Sequence, residues 1–125
     1  MEYKIRHTIL VVDDEPDIVE IVSYNLKNND YKVLKAFSGI QCIKMARIHK
    51  PSLIILDVRM PDISGIETCI HLKNDPILKD IPIMFLTADS DEFTSITAMN
   101  VGGNHFVTKP IRPSTLISMV NEALH

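Results

Sequence analysis

Asp13, Asp14, Asp57, Thr87 and Lys109 are the residues of this chain whose types could do chemistry together. Each stands at the end of an apolar run. Thr8–Val12 runs into Asp13-Asp14, Leu53–Leu56 into Asp57, Ile83–Leu86 into Thr87, and His105–Thr108 into Lys109. Crowded carboxylates repel unless something positive sits among them. Lys109 supplies one charge, and a hard divalent cation is the natural second. Oxygen ligands of this kind suit Mg²⁺, which keeps several waters and takes few carboxylates. Mg²⁺ with open positions, next to a lysine and a hydroxyl, is an arrangement for handling phosphoryl groups. A carboxylate can itself be the nucleophile toward phosphorus. The set suits an aspartyl phosphate, with Asp57 as acceptor.

The elements that must gather these residues follow from hydrophobic pattern. Met1–His7 is a polar lead-in, and Thr8–Val12 is the first strand. A helix begins near Pro16, where a proline costs no hydrogen bond. Ile18, Val19, Val22 and Leu26 line one face of it at helical spacing, and Asn28-Asn29-Asp30 ends it. Tyr31–Ala36 is the second strand, and its partial alternation suits a sheet edge. Ser38 can cap the next helix, whose apolar face is Ile40, Cys42, Ile43, Met45 and Ala46. Pro51 closes that segment. The third strand, Leu53–Leu56, is apolar on both faces, as a buried parallel strand is. After Asp57, residues 58–65 read as a loop punctuated by Pro61 and Gly65. A third helix from Gly65 turns Ile66, Cys69 and Ile70 inward, and Asp75-Pro76 breaks it.

Ile83–Leu86 is a fourth, continuous apolar strand. Ser90-Asp91 starts a fourth helix that runs through Val101. Its Thr94, Ser95, Thr97 and Asn100 are mediocre helix formers, and Gly102-Gly103 ends it. A short fifth strand covers His105–Thr108. The last helix starts near Pro113 with Leu116, Ile117, Val120 and Leu124 toward the core. Met45, Met84 and Met99 read as packing residues. Five strand–helix units in strict alternation predict an α/β fold. Its doubly wound, five-stranded parallel sheet has helices on both faces through right-handed crossovers. In such sheets the carboxyl ends of the strands are where ligands collect.

Composition narrows the function. The 125 residues make one domain with one core, and 46% hydrophobic with 23% charged residues is ordinary for a soluble globular protein. Thirteen basic against 16 acidic residues leave −3, which argues against nucleic acid as a direct partner. No apolar run approaches the ~20 residues of a membrane span, and no signal-peptide pattern opens the chain. Cys42 and Cys69 fall among apolar residues of helices, so reduced core thiols and a cytoplasmic setting are expected. The five histidines show no metal-ligand spacing with the cysteines, which argues against zinc.

The stretches Leu10–Pro16, Asp57–Gly65, Pro82–Ala88 and Phe106–Pro110, in this order and spacing, resemble the receiver domain of two-component response regulators. The resemblance spans nearly the whole chain as a single domain. It implies a CheY-like (βα)5 flavodoxin-like fold with strand order 2-1-3-4-5. It implies that Asp57 accepts a phosphoryl group from a phosphohistidine on a sensor histidine kinase or a histidine phosphotransfer protein. Mg²⁺ would be held by Asp13, Asp14, Asp57 and the backbone carbonyl of Arg59. Thr87 would hydrogen-bond the phosphoryl oxygens, Lys109 would pair with their charge, and Lys109–Pro110 would be a cis peptide. Phe106 would be the aromatic that turns inward when Thr87 moves. The face of the fourth helix, fifth strand and fifth helix would then change to control an output domain or partner protein, with homodimerisation through that face as in relatives with DNA-binding outputs. The alternative is a stand-alone phosphorelay or binding module without an output domain. Either way the domain is regulatory and assists only its own phosphorylation and dephosphorylation.

Three positions depart from the family pattern. Asn104 stands where an acid is frequent before the fifth strand. Phe106 lacks the hydroxyl of the frequent tyrosine. Arg112 replaces a small polar cap, so the last helix is expected to fray at its start or take Ser114 as cap. Rival functions fit less well. A flavin-binding relative needs a phosphate-cradling loop after the first strand, and Asp13-Asp14-Glu15 would repel a phosphate. An aspartate-nucleophile phosphatase wants a second acid two residues after the nucleophile, where Arg59 stands.

Overall fold

The structure, a computed structural model, describes residues 6–88 and 97–125. Its strands are β1 (Thr8–Val12), β2 (Lys32–Ala36), β3 (Leu53–Asp57), β4 (Ile83–Thr87) and β5 (His105–Thr108). The helices are α1 (Pro16–Lys27), α2 (Gly39–His49), α3 (Gly65–Lys73), the helical residues 97–100 of α4, and α5 (Pro113–Leu124). All strand pairs are parallel, and the sheet order is β2-β1-β3-β4-β5.

β3 and β4 are buried at every residue, which is why they are near-continuous apolar runs. Side chains alternate across the sheet, and two core layers result. Ile9, Val11, Ile55 and Leu86 face one way, under Val19, Val22 and Leu26 of α1 and Leu116 and Val120 of α5. Leu10, Val12, Ile54, Leu56 and Phe85 face the other way, under Cys42 and Ala46 of α2, Cys69 and Leu72 of α3, and Ala98. Each fully buried leucine or isoleucine contributes ~1.5–3 kcal/mol of burial, so the central strands anchor the fold. The register sets the ends level. Val12 pairs with Leu56, Asp57 with Leu86, and Thr87 with Thr108.

Several expectations meet corrections. Ile40 and Ile70 are exposed, not inward. A helix lying on a sheet buries a stripe, and in α3 that stripe runs through Thr68, Cys69 and Leu72. Met99 is also exposed, while Met84 is fully buried. Tyr31 precedes β2 but is buried, its hydroxyl donating to Asn121 Oδ1 of α5. Ser38 caps α2 as expected, accepting from Gln41 N–H. Arg112 makes no side-chain cap at α5, and no bond from Ser114 replaces it among the described residues. Asn104 is a strut, its Oδ1 accepting from the Ile83 N–H at 3.0 Å. The start of the fourth helix at Ser90-Asp91 lies outside the described residues.

Candidate functional site

Asp13 follows β1 directly, Asp57 is the last residue of β3, Thr87 the last of β4, and Lys109 follows β5. Level strand ends therefore bring them to one rim, at the point where the sheet order turns from β1 to β3. Backbone bonds lock the rim. Asp13 N–H donates to Ala36 O at 3.3 Å, Val58 N–H to Leu86 O at 3.2 Å, and Lys109 N–H to Thr87 O at 2.7 Å. The Lys109–Pro110 peptide bond is cis.

Carboxylate oxygens of Asp13, Asp14 and Asp57 all lie within 4.8 Å of one another. Asp13 is fully buried and Asp57 nearly so, while Asp14 is exposed. Lys109 Nζ reaches between them, 3.0 Å from Asp13 Oδ2 and 3.4 Å from Asp57 Oδ1. Asp13 Oδ1 accepts from the Glu15 N–H at 3.0 Å. Its Oδ2 is the oxygen paired with the Lys109 ammonium, so both oxygens of this buried carboxylate are engaged.

Electrostatics follow from this crowding. Burial first, then the Asp13 carboxylate, pushes the Asp57 carboxyl up to about 6, although Lys109 pulls the other way. Burial alone would lower Lys109, but Asp13 and Asp57 outweigh it and hold the ammonium above its ordinary value. Three acids around one lysine leave the pocket short of positive charge. The donor set is all hard oxygen, with three carboxylates facing a single ammonium, so the residues fit a divalent cation of the Mg²⁺ type.

Arg59 is exposed, two residues past Asp57 in the loop that leads to α3. That loop closes on itself, with Gly65 N–H donating to Val58 O at 2.8 Å. A Cβ on Gly65 would collide with the carbonyl oxygen of Asp57, so only glycine lets α3 start this close to the strand end. Thr87 is buried beside the rim. Phe106 is half-buried and stacks on Phe85, with centroids 5.9 Å apart and planes at 21°. Sequence reasoning passed over Asp62. Its carboxylate accepts from the Gly39 and Ile40 N–H groups of α2, at 3.1 and 2.9 Å. No local pattern could signal it, because the partners lie more than twenty residues away in sequence.

A doubly wound sheet that gathers acids and a lysine at its carboxyl edge defines a regulatory domain of the receiver class. The response regulator receiver domain family matches residues 9–121. The chain belongs to that family. It is 39% identical over 116 residues to the alkaline phosphatase synthesis transcriptional regulatory protein PhoP of Bacillus subtilis, covering 93% of this chain and 48% of that protein. It is 38% identical over 117 residues to the phosphate regulon transcriptional regulatory protein PhoB of Pseudomonas aeruginosa, covering 94% of this chain and 51% of that one. The chain thus spans about half the length of the curated relatives it matches. Among solved structures, a response regulator from Chloroflexus aurantiacus superposes with TM-score 0.93 at 32% identity, covering 96% of this chain and 98% of that one. The chemotaxis response regulator CheY4 of Vibrio cholerae superposes at 0.91 and 28% identity, covering 96% of this chain and all of that one. Phosphorylation and Mg²⁺ binding at an acidic pocket are general features of this family. Among the described residues, no helix is long and apolar enough to cross a membrane.

Proposed function

We propose that Asp57 accepts a phosphoryl group from a phosphohistidine of a sensor histidine kinase or histidine phosphotransfer protein. The observation that carries this reading is the Lys109 ammonium lodged between Asp13 and Asp57 in a buried acidic pocket. A carboxylate oxygen of Asp57 attacks phosphorus, and the P–N bond to the imidazole breaks with its electron pair going to nitrogen. The imidazole leaves neutral, its one proton already on the other ring nitrogen or taken from solvent. With its pKa near 6, Asp57 is mainly ionised at neutral pH and available as the nucleophile. Lys109 keeps its proton and follows the charge onto the phosphoryl oxygens. Asp13, Asp14, Asp57 and the Arg59 carbonyl would hold Mg²⁺, which when bound neutralises charge on the transferring group.

Phosphorylation adds charge and acceptor oxygens. It shifts the domain between two forms only by contacting one of them better. Thr87 and Lys109 make those contacts, Phe106 leaves or deepens its place beside Phe85, and the α4-β5-α5 face changes to control an output domain or a partner protein. Homodimerisation through that face belongs to the same reading. The half-length match to transcriptional regulators supports an output domain over a stand-alone relay. Cytoplasmic residence goes with it, and the two buried free thiols, Cys42 and Cys69, accord with a reducing compartment.

Intact-mass spectrometry after incubation with acetyl phosphate tests the chemistry. We expect one phosphoryl adduct that requires Mg²⁺ and is absent from Asp57→Asn. A folded wild-type protein that takes no adduct, or an adduct that persists in Asp57→Asn, would overturn the assignment.

A further inference from the structure

The loop that follows the acceptor strand is held at its tip from an unexpected direction. α2 must satisfy its first N–H groups from outside the helix. Its own cap, Ser38, takes one of them, with Oγ accepting from Gln41, while the Ser38 carbonyl accepts the first bond of the helix from Cys42. The N–H groups of Gly39 and Ile40 both donate to Asp62 across the gap between the β3–α3 loop and α2. Burial would raise the Asp62 carboxyl, but backbone N–H groups of Ile40, Ile63 and Gly39 outweigh it and lower it. A carboxylate on a helix N-terminus also opposes the helix dipole favourably.

Packing agrees with the hydrogen bonds. A Cβ on Gly39 would run into Thr68 Oγ1 and Ile63, so α2 starts in direct contact with the loop and the first turn of α3. Among the described residues, the hydrogen bonds of residues 59–63 to the rest of the chain run through Asp62. The other end of the loop is closed by Gly65 on Val58. Asp62 is thus the anchor of a closed loop whose near end carries Asp57 and Arg59.

We propose that Asp62 is a positioning residue that couples the cation pocket to the start of α2. It holds the Arg59 carbonyl in place, and it rests on the Mg²⁺ reading above. Coupling of this kind is reciprocal. If the Asp62 anchor tightens Mg²⁺ binding, Mg²⁺ must tighten the anchor by the same factor. The start of α2, on the β2 side of the sheet and away from the α4-β5-α5 face, then becomes a second place where the state of the pocket is felt.

The experiment is calorimetric titration of Mg²⁺ into wild type, Asp62→Ala, Asp62→Asn and Ser38→Ala, with amide exchange of Gly39 and Ile40 measured in wild type with and without Mg²⁺. We expect Asp62→Ala to weaken Mg²⁺ by about fivefold or more. Asp62→Asn, which keeps one acceptor oxygen on a neutral group, falls between. Ser38→Ala removes the other cap of the same helix without touching the loop, so its Mg²⁺ affinity should match wild type. Exchange at Gly39 and Ile40 should slow when Mg²⁺ binds. Equal affinity of Asp62→Ala and wild type would overturn the proposal. So would a Ser38→Ala loss as large as that of Asp62→Ala, which would mark a generic effect of a weakened helix. Unchanged exchange at Gly39 and Ile40 in wild type would overturn it with no variant needed, should the substitutions unfold the domain. Absence of Mg²⁺ binding to wild type would instead overturn the reading of the pocket itself, and the coupling with it.

Discussion

Asp57 is held at a cost to the protein, and the sign of that cost is measurable. Its carboxyl is raised from 3.8 to about 6 by burial and by Asp13. A raised acid favours the folded state fully below its unfolded value and loses that contribution as pH climbs through its folded value. Metal-free protein should therefore lose stability between about pH 4 and pH 6. Asp57→Asn removes the loss. In chelator at pH 7 we expect it to stabilise by ~1–2 kcal/mol, allowing for screening by water at the open rim. At pH 3.5 the gain should vanish. Urea unfolding at the two values checks both, and a gain that persists unchanged in acid would show that the cause is not ionisation. Gly65 is the opposite case, a residue with no chemistry and no latitude. Gly65→Ala drives a Cβ into the Asp57 carbonyl oxygen, so the loop or α3 must move. We expect a loss of ~2–3 kcal/mol in urea unfolding, together with loss of the phosphoryl adduct. The acids, threonine and lysine were legible because each ends an apolar run, and a parallel sheet makes run ends into neighbours. Asp62 was not, because a side chain that caps a helix from another loop leaves no periodicity.

At the scale of elements, the proposed coupling between that pocket and the surface can be traced through packed neighbours. Thr87 ends β4, its carbonyl accepts from Lys109 N–H beyond β5, and Phe106 of β5 stacks on Phe85 of β4. A change at Thr87 therefore has a short, packed route to β5 and α5. Thr87→Ala should keep its phosphoryl adduct but shift fewer amide resonances of β5 and α5 on phosphorylation than wild type does. A spectrum that shifts as fully as wild type would remove Thr87 from the route. α5 has its own weakness. It starts at Pro113 after Arg112, whose side chain caps nothing. Arg112→Ser offers an acceptor to the free N–H groups and should add ~0.5–1 kcal/mol by urea unfolding. Strand and helix order could be read from the alternation of apolar runs and amphipathic segments. The facing of single residues could not, as Ile40 and Ile70 show. A helix on a sheet leaves part of its circumference in water, and scattered apolar residues there are ordinary.

At the scale of the molecule, a sheet with two buried faces leaves its edge of strand ends as the place where charge can concentrate. Order 2-1-3-4-5 was accessible only through resemblance, since alternation specifies parallel strands and right-handed crossovers but many orders satisfy both. The same architecture makes the pocket a lever on the stability of the whole chain. An ion that binds the folded state alone stabilises it by mass action, ~2.7 kcal/mol at a hundred times its dissociation constant. For a domain of this size that is about 10 °C in Tm. A chain of net charge −3 also gains a little from any salt that screens repulsion, so each MgCl₂ melt needs a KCl melt of equal ionic strength beside it. We expect Tm to rise with log[Mg²⁺] well beyond the KCl control, because an ion held among Asp13, Asp14 and Asp57 relieves their repulsion directly, whereas bulk salt screens it only in part. Asp57→Asn starts from a higher metal-free Tm and has one ligand fewer, so its rise should be smaller, and the two melting curves should converge or cross as Mg²⁺ increases. Parallel curves, with Mg²⁺ no better than KCl for either protein, would mean that the acids are balanced by Lys109 alone and that the pocket holds no ion.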